Sequence, residues 1–228
     1  MTNITNSIYN FFHLIFTGDL ETLVKGIGVI GVWAVIFAES GLLIGFFLPG
    51  DSLLFTAGLL ASPAFKFIDL WSLLIGSWVA AIVGDNVGYE FGKRVGRKLF
   101  KKEESLFFNP KNLEKANAFY ETHGGKAITL ARFIPVVRTF VPIIAGISHM
   151  GHKKFTFYNF IGGTIWVWGM ILGGYFLGSF VPNVDKYILP IVLIIIIGSV
   201  APAAWHLYKD NKQQIHSKVL AKFNGKSK

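Results

Sequence analysis

The chain has 228 residues, of which 52% are hydrophobic and only 15% charged, and its mean hydropathy is +0.50. A soluble domain carries about 25% charged residues, so these figures exclude an ordinary soluble globule and make lipid the expected solvent. The absence of cysteine removes disulfides, thiolate metal sites and cysteine nucleophiles; the formal charge of +9 reads here as a topology signal and an attraction to anionic headgroups, not to nucleic acid.

Residues 1–25 contain a short apolar run, Ile8 to Phe16, with no basic n-region before it and no cleavage signal after it. It is too short to cross a hydrocarbon core, which predicts an interfacial amphipathic segment and no signal peptide. Residues 26–62 are apolar for longer than one span and are broken by Pro49-Gly50-Asp51. That pattern predicts a re-entrant helical hairpin with Pro49 and Gly50 at its tip.

Residues 70–92 suit one spanning helix, followed by the basic run Lys93, Arg94, Arg97, Lys98, Lys101 and Lys102. The rest of the 93–126 loop holds a polar helix over 111–125, on or outside the membrane. Residues 127–148 are apolar but interrupted by Arg132, Pro135, Arg138 and Pro142. Two prolines and two arginines are incompatible with a simple spanning helix and predict a second re-entrant hairpin, tipped by Pro135. Residues 155–180 and 187–208 are long enough to span, and 209–228 form a basic tail with six lysines and one aspartate.

The expected architecture is an all-α polytopic membrane protein, an inverted repeat of re-entrant hairpin plus spanning helix over 26–180 with an additional C-terminal spanning helix. The basic segments 93–126, 149–154 and 209–228 place the C-terminus and both intervening basic stretches in the cytoplasm. The repeat is visible at a gap-free offset of 86 residues. Phe47 matches Phe133, Pro49 matches Pro135, Ser62 matches Ser148, Gly76 matches Gly162, Gly88-Tyr89 matches Gly174-Tyr175 and Gly92 matches Gly178. One spanning helix separates the two hairpins, so the copies face opposite ways, a plan that places a transporter's site at the repeat interface.

Charge inside hydrocarbon costs from about 2.5 to well over 10 kcal/mol per group, so each such residue needs a partner, water or a function. The candidates are Glu39, Asp51, Asp85, Arg132 and Arg138, with Ser52 and Thr139 as further cavity-lining positions. Asp51 lies two residues past the first tip proline, and Arg132 and Arg138 lie three residues to either side of the second. If the tips meet, one acid and two guanidiniums converge. Arginine forks suit oxyanions and helix N-termini add N–H groups, which points to a phosphate-bearing ligand bound by Arg132 and Arg138. Glu39, ten residues before Pro49, would lie about 15 Å away along a regular helix and is read as a proton-coupling acid off the ligand. In the competing reading these charges only neutralise one another and hold the hairpins together.

Other patterns carry less. Gly26-x-Gly28-x-x-Gly31 fits a dinucleotide fingerprint but lacks its strand and βαβ context. The six histidines are scattered, so no metal site is expected, and no cofactor. Trp71, Trp166, Trp168 and Trp205 read as packing or interfacial anchors.

The same residues carry a family likeness. Glu39-Ser40-Gly41, Phe46 to Leu54, Gly84-Asp85, Gly88-Tyr89, His123 to Lys126, Ala131 to Thr139 and Ala145-Gly146, continued by Asn159, Gly162 and Trp166, resemble the DedA family. Its domain is also known as the VTT or SNARE-associated Golgi protein domain. The resemblance implies an inner-membrane protein with two opposed re-entrant hairpins that moves lipid: undecaprenyl phosphate in some bacterial members, phosphatidylethanolamine in others, with scramblase activity in eukaryotic relatives. It also implies a link to proton motive force. By motif position, Glu39, Asp51, Arg132 and Arg138 look like the family's required embedded acids and arginines.

The expected function is therefore a flippase for a phosphate-bearing lipid, first of all undecaprenyl phosphate recycling, and not an enzyme. The expected partners are that lipid or a phospholipid, protons, and as one option a second copy of the chain. Rivals are a phospholipid flippase or scramblase, a proton-coupled small-ion or drug antiporter using Glu39 and Asp51, and a lipid phosphatase. The last is disfavoured because the arginine and second serine of a phosphatase loop are missing after Ser52.

Overall fold

The computed structural model describes residues 9, 13, 14, 17, 19–42, 45, 48–95, 122, 124–148 and 150–180. Among them the regular elements are six helices: α1 (Leu20–Gly41), α2 (Gly50–Leu60), α3 (Leu70–Val95), α4 (Lys126–Ala131), α5 (Pro135–Ile147) and α6 (His152–Phe180). Most of the N-terminal segment, the 111–125 helix, the C-terminal 187–208 span and the 209–228 tail lie outside the described residues.

Three helices, α1, α3 and α6, are long and apolar enough to cross a membrane. At 1.5 Å per residue the 26 residues of α3 reach about 39 Å and the 29 of α6 about 43 Å, more than the roughly 30 Å hydrocarbon core. The distribution of side chains is that of a protein dissolved in lipid. Trp71, Ile75, Val79, Val83, Val87 and Phe91, spaced every fourth residue along α3, are all exposed, while Glu39, Asp85, Arg132 and Asn159 are buried. Water would invert that preference. The start of α3 is fixed by Asp69, whose carboxylate accepts from the Ser72 backbone N–H at 2.7 Å; this bond holds the carboxyl below its ordinary range.

The first long helix is not continuous. Gly28 takes φ +63° and ψ −173°, a left-handed conformation that only glycine adopts cheaply, and it divides α1 into 20–27 and 29–41. The second part, thirteen residues or about 20 Å, falls short of a full crossing. The glycine pattern that mimics a nucleotide fingerprint thus serves as a kink within a helix. The first part corrects an expectation: residues 20–25 were assigned to an interfacial segment, yet Leu20, Leu23 and Val24 are buried in the core.

Helix α2 is apolar on every side, and nine of its eleven residues are buried, so it runs through protein and not along lipid. It packs on α6, as α5 packs on α3, while α1 also lies on α3 and α4 on α6. Glycines make these crossings close. A Cβ at Gly174 would overlap the Phe55 carbonyl and one at Gly58 that of Ile171; a Cβ at Gly146 would overlap the Tyr89 carbonyl and one at Gly92 that of Ile143. Gly174→Val is accordingly expected to destabilise by about 3 kcal/mol or more. Gly169→Ala, whose Cβ would meet nothing within 4 Å, should leave the thermal midpoint in detergent unchanged or slightly raised. Equal behaviour of the two variants would refute the close crossing.

Helices α3 and α6 run antiparallel. Trp78 Nε1 donates to Thr164 Oγ1 at 2.9 Å, Asn159 Nδ2 to the Ile82 carbonyl at 3.2 Å and Thr156 Oγ1 to Asn86 Oδ1 at 3.0 Å. As numbering rises along one helix it falls along the other.

Candidate functional site

The chain between α1 and α2 is what brings the site together. Helix α1 stops at Gly41, Leu42 is extended, and the Gly45 N–H donates to the Leu42 carbonyl at 2.8 Å, with the Leu48 N–H returning to Gly45 at 2.8 Å. A Cβ at Gly45 would collide with Ala38 and Glu39 backbone, so the chain folds back directly over the end of α1. Pro49 then caps α2. Glu39 is therefore not 15 Å from the tip as a regular helix would place it: a Cβ at Gly50 would overlap the Glu39 carboxylate itself. This corrects the spacing expected for Glu39, and its cause is a chain reversal that helical arithmetic ignores.

On the other side, Ile134 is extended and α5 begins at Pro135, whose missing N–H and fixed φ suit the first helical position. Arg138 sits one turn inside α5, and Arg132 caps the short α4. The two proline turns meet through Arg138. Arg138 Nη1 donates to Asp51 Oδ1 at 2.7 Å, and its Nη2 donates to Glu39 Oε1. One guanidinium thus bridges two carboxylates, one near the end of α1 and one in the first turn of α2. Arg132 Nη2 donates to Asp85 Oδ2 on α3 and to Asn159 Oδ1 on α6.

Sequence reasoning gave Trp166 to packing or interface. The structure bears out packing for Trp166, which is part of the core, and adds a polar role. Trp166 is 4% exposed, its indole N–H donates to Asp51 Oδ1 at 2.6 Å, and its ring lies 4.6 Å from Arg138 Cζ and 5.7 Å from Arg132 Cζ. Trp71 and Trp168 do face outward, and Trp205 lies outside the described residues. Asn159, fully buried, was missed as a site residue. The signal was available as one helical face: Asn159, Gly162, Gly163 and Trp166 recur at three- and four-residue spacing on α6. The two glycines leave room for the Arg132 side chain, since a Cβ at Gly162 would stand 3.1 Å from its Cδ. Ser52 and Thr139 are also buried next to Asp51 and Arg138 in sequence.

Electrostatically, three carboxylates face two guanidiniums. The arginine excess expected at the second tip is absent, because Glu39 and Asp85 arrive from α1 and α3 to join Asp51. Asp51 and Glu39 both lie at the N-terminal end of α2, where the helix dipole favours negative charge, whereas Arg138 sits at the positive end of α5 and gains nothing from its own helix. Within this cluster two buried atoms lack hydrogen-bond partners, Glu39 Oε2 and Arg132 Nε. Each such atom costs about 1–3 kcal/mol unless something else engages it. Among the described residues no group of three or more histidines, aspartates or glutamates is arranged to hold a metal ion.

Comparison with known proteins gives the following. The VTT domain family matches residues 48–176. An uncharacterized membrane protein of Mycobacterium leprae is 44% identical over 188 residues, covering 81% of this chain and 83% of its own. Protein DedA of Escherichia coli K12 is 41% identical over 188 residues, covering 80% and 85%. Inner membrane protein YqjA of the same organism is 33% identical over 190 residues, covering 78% and 85%. No solved structure matches the chain.

Proposed function

The chain belongs to the DedA family of VTT-domain membrane proteins, and from that membership and the bridged arginines we propose that it carries a phosphate-bearing lipid across the cytoplasmic membrane, with undecaprenyl phosphate as the first candidate. The observation that carries this reading is Arg138. Its planar fork, one turn inside a helix N-terminus, is filled by two carboxylates that occupy the places of phosphate oxygens. Protonation of Glu39 or Asp51 removes a competing negative charge and frees guanidinium N–H groups for the phosphate. Its reversal expels the ligand. Anion loading is thereby tied to proton uptake, and the prenyl or acyl tail stays in lipid while the headgroup crosses. No bond in the lipid is made or broken, so the protein acts as a transporter and not as an enzyme.

The architecture proposed for this task is an inverted repeat of two re-entrant hairpins, with the basic stretches and the C-terminus in the cytoplasm. Its support is geometric. Trp78 and Thr164 are equivalent under the 86-residue offset and hydrogen-bond to each other, as residues beside a two-fold axis would. Asp51 and Arg138, one residue from equivalence, meet in the same way. Each hairpin's second leg packs on the other repeat's long helix, α2 on α6 and α5 on α3. The kink at Gly28 leaves thirteen residues, 29–41, as the continuous helical stretch next to the first tip.

One observation favours a second reading. The cluster holds one carboxylate more than it has guanidiniums, which suits a proton-coupled cation antiporter. Liposomes containing the purified full chain separate the two. Undecaprenyl phosphate and, in a parallel arm, labelled phosphatidylethanolamine are expected to reach the opposite leaflet faster than in empty liposomes for one of the lipids, and Arg138→Ala should slow this by at least tenfold. Movement of neither lipid, with proton exchange against a cation, would overturn the lipid reading in favour of the antiporter.

A further inference from the structure

The lipid reading uses four charged residues and leaves Trp166 unexplained, although its side chain lies against both ion-pair groups. Its N–H and the Arg138 guanidinium donate to the same oxygen, Asp51 Oδ1, at 2.6 and 2.7 Å. Its ring lies within cation–π reach of both guanidiniums. It is buried on α6, two helical turns from Asn159, which holds Arg132. The indole thus sits at the join of two clusters, Arg138 with Asp51 and Glu39, and Arg132 with Asp85 and Asn159.

We propose that Trp166 is a positioning residue: it holds Asp51 and both guanidiniums in register on one indole, and its N–H decides how readily Asp51 lets Arg138 go. The chemistry follows from what an indole is. Its N–H donates at every pH and carries no charge, so it engages Asp51 whether or not Arg138 is present. When Arg138 turns to a phosphate, Asp51 keeps the indole donor and stays ready to recapture the arginine. Of the charged groups at this join, Arg138 meets Asp51 and Glu39 while Arg132 meets Asp85, and from α6 the indole reaches Asp51.

The inference deepens the transport reading and rests on it, yet it has its own test. In the full chain, labelled with nitrogen-15 at tryptophan and held in lipid nanodiscs, the Trp166 indole resonance, assigned by its loss in Trp166→Phe, should shift with pH and move in Asp51→Asn. It should stay hydrogen-bonded in Arg138→Gln. In liposomes with undecaprenyl phosphate, Trp166→Phe keeps a ring but loses the donor to the charged carboxylate. Its transport profile should move to higher pH by about one unit, a tenfold change in proton concentration, with the maximal rate within about threefold of wild type. A rate lowered equally at every pH, or an indole signal flat with pH and indifferent to Asp51→Asn, would overturn the proposal. Should the wild type move no lipid at any pH, the transport reading fails, and the nanodisc measurement still decides whether Trp166 positions Asp51.

Discussion

Arg132→Gln alone is expected to lower stability by about 3–5 kcal/mol, whereas Arg132→Gln combined with Asp85→Asn recovers most of that loss and still moves lipid phosphate at least tenfold more slowly than wild type. The first half follows from burial. Arg132 and Asp85 are 5% and 4% exposed, and removing one leaves the other as an uncompensated charge in a low-dielectric interior. The double variant removes both charges and keeps amides able to bond to Asn159, so its thermal midpoint in detergent should return close to that of wild type. The second half separates function from scaffolding. If the pair only joined the second tip to α3 and α6, the neutral double variant would transport normally, and that outcome would assign Arg132 to structure. Retained stability with lost transport assigns it to the ligand.

Much of the site was legible because charge in an apolar window is costly and therefore conspicuous. Glu39, Asp51, Arg132 and Arg138 stand out on that ground, and the structure brings the first two onto Arg138 and pairs Arg132 with Asp85. Asp85 stands out on the same ground, and it holds Arg132. The charge balance was not legible. Which acid meets which arginine depends on pairs 47 and 99 residues apart, and nothing local in the sequence near Arg138 announces Glu39. Trp166 and Asn159 escaped for a different reason. Tryptophan and asparagine carry no charge, so their burial raises no alarm, and only the spacing along α6 marks them. In the fold, hydropathy and length gave the long helices α3 and α6 almost to the residue. The kink at Gly28 and the reversal between Gly41 and Gly50 depend on single backbone conformations, to which a hydropathy window is blind.

Glu39→Gln should abolish the pH response of transport while tightening ligand binding. Glutamine is the shape of a protonated glutamate, and Glu39 is almost fully buried, with one oxygen on Arg138 and the other, unpartnered, beside Gly50. With that charge gone, one arm of the Arg138 fork is permanently released to an anion. KM for undecaprenyl phosphate should fall while kcat drops at least tenfold, because nothing then recaptures the arginine to expel the ligand. Initial rates in liposomes between about pH 5.5 and 8, a range that a proton-linked carrier must sense, should lie on a flat line. A variant that keeps the wild-type slope would remove Glu39 from proton coupling and leave Asp51 as the carrier. Gly50→Ala supplies the steric counterpart. Its methyl group would drive the Glu39 carboxylate off its place without altering charge, so it should impair transport while preserving a pH response. Charge and position at Glu39 would thereby be shown to make separable contributions.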